Sequence, residues 1–239
     1  MLPELGESFG VSAAAAATSV TAYLLPFAAV MLVSGTLGER WGRRRTVVTA
    51  YGVYTIASLA CLLAATWPLF LAARAVQGLA NGFTTPLLLA ALAAAAAPDR
   101  LGRALGWFGS LQAAGQTSAP LLGGLAAVVD WRLAFGGVAA TALLLGLVGI
   151  PSGGPAPAQR PTLRTALAPR VLRAGVVAAV GWGCLAGLNF LVALRLEDEF
   201  ALGSGARGLV LTGLGAAGLL TARLVGGEVD RIGPRRSVL

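Results

Sequence analysis

Long apolar runs, separated by short polar connections, fill nearly the whole sequence and leave room for little except a bundle of membrane-spanning helices. About 20 consecutive apolar residues cross the hydrocarbon core of a bilayer, and the chain contains seven runs of about that length. They predict helices over residues 14–36, 47–66, 68–97, 101–129, 133–150, 171–194 and 207–228. Hydrophobic residues make up 56% of the chain and charged residues only 12%, whereas soluble domains carry about 25% charged residues. The sequence therefore predicts an all-α integral membrane protein.

The 18 basic residues are all arginines, and their distribution predicts the orientation of these helices. Thirteen fall in connections on one side of the predicted bundle, and three fall on the other side. Positive residues concentrate in cytoplasmic loops, so the richer side is predicted to face the cytoplasm. A basic chain can also bind nucleic acid, but these arginines separate apolar runs instead of forming one face. We therefore expect a multi-pass protein of the cell membrane with no nucleic-acid partner.

One basic connection occurs twice, and each copy follows the end of a long apolar run. The first copy contains Gly35, Glu39, Arg40, Gly42, Arg43 and Arg44, and the second contains Gly226, Asp230, Arg231, Gly233 and Arg235. Six predicted helices separate the copies, so both lie on the same side and the repeated unit is a six-helix bundle. By this symmetry the chain, with about seven transmembrane helices, corresponds to helices two to eight of an expected twelve.

A stretch rich in proline and glycine, from Pro151 to Pro161, divides the two units. We expect residues 1–150 to form an N-terminal six-helix bundle that lacks its first helix. Residues 151–170 are the predicted cytoplasmic linker, and residues 171–239 hold the first two helices of the C-terminal bundle.

Two further patterns lie within predicted helices. The helix at 68–97 contains R-x-x-Q-G, at Arg74, Gln77 and Gly78. The helix at 101–129 contains a series of small residues around a proline, at Gly106, Gly115, Ala119, Pro120, Gly123 and Gly124.

With these three motifs, in this order, the chain resembles the major facilitator superfamily, and within it the drug:proton antiporters. The family's loop motif G-x-L-a-D-R-x-G-R-R has Asp where this chain has Glu39. The third motif, a mark of the antiporters, has Gly where this chain has Ala119. The resemblance implies helical bundles that move small molecules by alternating access, with proton-driven efflux of drug-like compounds. A metabolite uptake carrier of the same superfamily and a truncated, non-transporting membrane fragment are the alternatives.

The predicted helix at 68–97 carries polar side chains on one face. Gln77, Asn81 and Thr85 follow Arg74 at helical spacings, and we interpret the four as the lining of a substrate and proton pathway. In the family the matching arginine is linked to proton transfer. Because arginine stays protonated, we expect it to favour the ionised form of a nearby carboxylate. The alternative is an arginine that reaches outward to the lipid headgroups.

Gln112 and Gln116 share a face of the predicted helix at 101–129 and are assigned to the same pathway. Pro120 is expected to bend that helix and to shape a seal, and ordinary close packing of its small residues is the alternative. Tyr23 and Asn189 are candidate substrate contacts, as are Trp107 and Trp182. Aromatic side chains within spans, however, more often belong to the core or to the interfacial belt.

The first basic loop is predicted to act at the junction of two helices. Gly35 and Gly42 are expected to allow a tight turn, and Glu39 is expected to pair with an arginine or with a helix N-terminus. The loop is interpreted either as a latch that the bundles make and break or as a cluster that only fixes topology.

Several function classes find no support in the sequence. We expect no metal and no cofactor, because His is absent and the two cysteines are far apart. No nucleophile–base pair or phosphate-binding loop is recognisable, so we do not expect an enzyme. No Asp or Glu lies in the middle of a predicted span, so proton coupling rests on the resemblance alone. The expected partners are the lipid bilayer, a small-molecule substrate and protons.

Overall fold

The computed structural model describes residues 2–97, 100–150, 169–200, 202–203, 205–213 and 215–217, and no strand occurs in these ranges. The helices are α1 (Leu2–Phe9), α2 (Ala13–Trp41), α3 (Arg43–Leu62), α4 (Trp67–Ala95), α5 (Leu101–Val129), α6 (Arg132–Val148) and α7 (Pro169–Asp198). Residues 205–213 and 215–217 are also helical. The predicted all-α fold is therefore confirmed.

The local sequence explains where these helices begin and end. Ser12 caps α2, because its Oγ accepts a hydrogen bond from the Ala15 N–H at 3.2 Å. Pro68 lies in the first turn of α4, where its missing N–H would have no partner in any case. The helix α1 was not predicted as a span, because eight residues contain no apolar run of membrane-spanning length.

The first basic loop is shorter than the sequence predicts. The expected turn at Gly35 is wrong, since α2 continues through it to Trp41. Glu39 and Arg40 are good helix formers, and one internal glycine costs a helix only about 1 kcal/mol. The turn is made by Gly42 alone, at φ 92°, a conformation that side chains disfavour.

The predicted linker ends at 170, but α7 begins at Pro169, and residues 151–168 lie outside the described part.

The helix α4 lies at the centre of the bundle, with α2 and α3 packed against it and α6 packed against α3. Glycines bring α2 and α4 together. A Cβ at Gly78 would overlap the backbone carbonyl of Tyr23, and a Cβ at Gly82 would lie 3.0 Å from the carbonyl oxygen of Phe27. The backbones can approach this closely only because neither residue carries a side chain.

An aromatic cluster closes the end of the bundle away from the basic loop. Phe9 of α1 packs against Trp67, Phe70 and Trp131, with ring centroids 5.4–5.6 Å apart. The Trp131 indole N–H donates to Ser8 Oγ at 2.8 Å. These contacts hold the short α1 against α4 and α6, which explains why it forms without a long apolar run.

The exterior of the bundle is apolar. Leu32, Leu147 and Val148 are 76%, 73% and 78% exposed, whereas large contiguous apolar surfaces are rare on soluble monomers. Among the described residues, α2, α3 and α4 are long and apolar enough to cross a bilayer, and the apolar α6 is shorter, at 17 residues. Helices α5 and α7 have the length, at 29 and 30 residues.

Candidate functional site

Arg74 points into the bundle from α4. Its Nη1 donates a hydrogen bond to Gln77 Oε1 at 2.6 Å. Its guanidinium carbon lies 4.4 Å from the ring centroid of Tyr23 and 5.8 Å from that of Phe135. Two aromatic faces and an amide oxygen therefore surround the charge, and the alternative in which Arg74 reaches outward to the headgroups does not describe this structure.

Gln77 joins α4 to α3. Its side chain is fully buried, and its Nε2 donates to Ser58 Oγ at 2.7 Å. Ser58 in turn donates to the carbonyl of Tyr54 at 2.7 Å, and the Cys61 thiol lies 3.6 Å from Gln77 Oε1. The amide oxygen and nitrogen both have partners, so Gln77 holds one orientation and fixes where Arg74 finds its acceptor.

Asn81 continues the polar network toward α2. Its Nδ2 donates to the hydroxyl of Tyr23, and its Oδ1 accepts a hydrogen bond from Thr84 Oγ1 at 2.7 Å. Thr85 is half-buried, and Thr84 is the threonine that joins the network. The structure thus brings Arg74, Gln77, Asn81 and Tyr23 together at the junction of α2, α3 and α4.

The sequence did not identify Ser58, Cys61 and Thr84 as members of this network. A single serine or cysteine within an apolar helix carries no periodic signal, and its role depends on which helix packs opposite. Thr84 follows Asn81 by three residues, so helical spacing would have found it.

No carboxylate contacts Arg74 among the described residues, and its described neighbours are tyrosines, Phe135, Cys61 and Gln77. The carboxylate expected beside Arg74 is therefore not found in the described part. In that part of the chain the Arg74 guanidinium has hydrogen-bonding and aromatic partners, but no carboxylate neutralises its charge.

Glu39 and Arg43 pair across the first basic loop. Arg43 Nη2 lies 2.6 Å from Glu39 Oε1, and Arg43 Nη1 donates to the carbonyl of Ala90 on α4 at 3.1 Å. Arg43 thereby ties the α2–α3 turn to the last turns of α4. Arg40 and Arg44 are exposed. The second copy of the loop, with Gly226, Asp230, Arg231, Gly233 and Arg235, lies outside the described residues.

The polar face of α5 does not join the network. Gln112, Gln116 and Ala119 are exposed, and a Cβ at Gly106 or Gly115 would meet no described atom within 4 Å. The predicted close packing at those two glycines is therefore not found in the described part, whereas Gly124 is buried and Gly123 half-buried. The helix α5 runs without interruption through Pro120.

Close packing of α5 occurs instead at Thr117. A Cβ at Gly215 would lie 2.8 Å from Thr117 Oγ1, so α5 contacts the helical residues at 215–217. Asn189, the other candidate substrate contact, donates to the Leu185 carbonyl of its own helix at 2.9 Å and makes no described contact with the Arg74 network.

An apolar exterior and a bundle of long helices around a buried polar network are the features of a multi-pass membrane protein. A family model described as Major Facilitator Superfamily matches residues 1–239, and the chain belongs to that superfamily. Its members are multi-pass membrane proteins that act on small molecules.

Relatives in Mycobacterium tuberculosis carry related segments. A "Multidrug resistance protein B homolog" is 36% identical over 128 residues, which are 53% of this chain and 24% of that protein. A "Drug efflux pump JefA" is 34% identical over 138 residues, which are 56% of this chain and 27% of that protein. An uncharacterized MFS-type transporter is 31% identical over 219 residues, 88% of this chain and 31% of its own length. The matched segments thus span less than a third of these relatives.

A solved structure shares the fold. The crystal structure of a D-xylose-proton symporter superposes with a TM-score of 0.63 at 17% identity, over 96% of this chain and 64% of that one. At this identity the likeness describes the architecture only.

Proposed function

We propose that the protein exports drug-like small molecules across the cytoplasmic membrane, driven by protons moving inward, through alternating access of two helical bundles. The observation that carries the proposal is the Arg74 network, a protonated side chain held inside the bundle by Gln77 and two aromatic rings. Buried charge within a membrane is costly and marks ion or substrate pathways. The similarity to a multidrug resistance protein homolog and to a drug efflux pump supports the direction and the substrate class.

The proposal includes the arrangement of the chain. Residues 1–150 form one bundle, residues 151–170 connect it on the cytoplasmic side, and residues 171–239 belong to the second bundle. The arginine-rich turn at Gly42 faces the cytoplasm. Arg43, which pairs with Glu39 and donates to the Ala90 carbonyl of α4, is part of a latch that the two bundles make and break at that surface.

A metabolite uptake carrier of the same superfamily is the second candidate. The observation that favours it is the lack of a neutralising carboxylate beside Arg74 in the described residues, because such a charge suits a substrate that carries its own carboxylate. A non-transporting membrane fragment is the third, and it predicts flux in neither direction.

The test is the efflux of ethidium from cells that lack their own exporters. Expression of the protein should speed dye loss several-fold, and a protonophore should abolish the gain. Arg74→Gln should lose the gain, while Arg195→Gln, at an exposed pair with Glu199, should keep it. Efflux that survives the protonophore, or accumulation of labelled organic acids in place of efflux, would contradict proton-driven export.

A further inference from the structure

A groove lies outside the Arg74 network, between α2, α3 and α4 near the α2–α3 turn. It has a volume of about 800 Å³, which is in the range of small-molecule sites. Arg40 and Arg45 line one part of it, and Val53, Leu79 and Phe83 line another. The groove is therefore cationic where the turn is and apolar where it enters the span.

The four arginines of the turn are not equivalent. Arg43 pairs with Glu39 and donates a hydrogen bond to the Ala90 carbonyl. The Nε of Arg44 lies 3.9 Å from where a Cβ on Gly149 would be, at the end of α6. Arg40 and Arg45 face the groove, and in the described part of the chain neither has an acidic partner.

The first turn of α3 adds to the positive potential at this end of the groove. The helix begins at Arg43, and Gly42 before it offers no side-chain cap. The unpaired N–H groups of a helix N-terminus carry a partial positive charge that favours anions. Two guanidinium groups beside them are suited to a phosphate, which arginine binds through paired N–H donors.

The apolar part of the groove determines what kind of phosphate fits. From Arg40 to Val30, both of which line the groove, α2 rises about 15 Å at 1.5 Å per residue. A free phosphate would leave that length of Val, Leu and Phe surface uncovered. An acyl chain would cover it, with its headgroup at the depth of Trp41, the position that tryptophan favours in membranes.

We propose that this groove binds one anionic phospholipid, with its phosphate between Arg40 and Arg45 and one acyl chain along Val53, Leu79 and Phe83. The site does not depend on the transport function proposed above. It differs from the general attraction of basic loops to anionic membranes, because it assigns binding to two of the four neighbouring arginines.

The experiment measures lipid retained by the purified protein. The detergent-solubilised chain is stripped of lipid, incubated with equal amounts of phosphatidylglycerol and phosphatidylcholine, and weighed by native mass spectrometry. The wild type should retain one phosphatidylglycerol in at least fivefold excess over phosphatidylcholine. Arg40→Gln and Arg45→Gln should each lower that retention about fivefold or more, while Arg44→Gln, which removes the same charge from the same turn, should change it less than twofold.

A second pair of variants tests the acyl part without changing charge. Val53→Trp fills the groove and should lower retention, whereas Ile56→Trp, on the same helix but 70% exposed and outside the groove, should not. Equal loss in all three arginine variants, equal retention of both lipids, or protection from unfolding by inorganic phosphate as strong as that by phosphatidylglycerol would each overturn the proposal.

Discussion

Gln77 is the residue on which the buried network depends. Its amide oxygen accepts from Arg74 and its amide nitrogen donates to Ser58, so one side chain links the charged group on α4 to the neighbouring helix. Removing one partner of a buried hydrogen bond leaves the other desolvated and unpaired, which costs more than the bond itself contributes.

We expect Gln77→Leu to destabilise the protein by about 1–3 kcal/mol, because Arg74 Nη1 then loses its acceptor in a buried setting. Thermal unfolding in detergent measures the change. The matched variant Gln112→Leu removes an exposed amide and should change the unfolding free energy by less than about 0.5 kcal/mol. Equal effects of the two variants would mean that the network does not contribute to stability.

Gly78 fixes how closely α2 and α4 can approach. A Cβ at Gly78 would overlap the Tyr23 carbonyl. Any side chain there must therefore push the two helices apart and also disturb the Tyr23 ring that covers Arg74. The other glycine motif is different, since Gly115 of α5 faces no described atom within 4 Å. Replacing glycine by alanine should therefore lower the stability of the protein at Gly78 but not at Gly115.

Gly78→Ala should destabilise the protein by about 1–3 kcal/mol through overpacking. Gly115→Ala should be neutral or stabilise it by up to about 1 kcal/mol, because alanine is the better helix former. Unfolding curves of both variants in one detergent decide the matter. A destabilising Gly115→Ala would show that the face of α5 around Gly115 is in fact packed.

The α2–α3 turn is held to α4 by Arg43. In a double-mutant cycle, Arg43→Gln should cost about 1–3 kcal/mol, because it removes a charged hydrogen bond to Ala90 and the pair with Glu39. Adding Glu39→Gln to Arg43→Gln should then cost little more, because residues in one network are not additive. Arg44→Gln, a neighbouring exposed arginine, serves as the control. If the losses in unfolding free energy were additive in the cycle, Glu39 and Arg43 would not interact.

The sequence predicts the helices well and their partners poorly, for physical reasons. Bilayer thickness sets the length of each apolar run, so the expected helix at 101–129 coincides with α5. Helical spacing placed Arg74, Gln77 and Asn81 on one face, and they do share one network. Nothing local specifies that Ser58 lies opposite Gln77, or that Gln112 faces outward. Both depend on which helices pack together, and that is settled by contacts between distant parts of the chain.

Across the whole molecule, α5 contacts Gly205 and Gly215, and in the proposed arrangement this is where the first unit meets the second. Gly215 approaches Thr117, and a Cβ at Gly205 would lie 3.8 Å from a Val128 methyl group. In the proposed alternating-access cycle the two units must separate and close along such a surface. A covalent link there should hold them in one state.

Alternating access is therefore best tested by a reversible cross-link between Thr117→Cys and Gly215→Cys, with the exposed Cys184 replaced by serine. The Thr117 Cβ lies 3.2 Å from the position of a Cβ on Gly215, close to the roughly 3.5–4.5 Å of a disulfide. We predict that oxidation links this pair in high yield and stops ethidium efflux. Reductant should then restore the efflux. The pair Gly109→Cys and Gly215→Cys, two turns away on α5, should not link. Efflux that continues at full rate through a completely cross-linked protein would contradict alternating access along this surface.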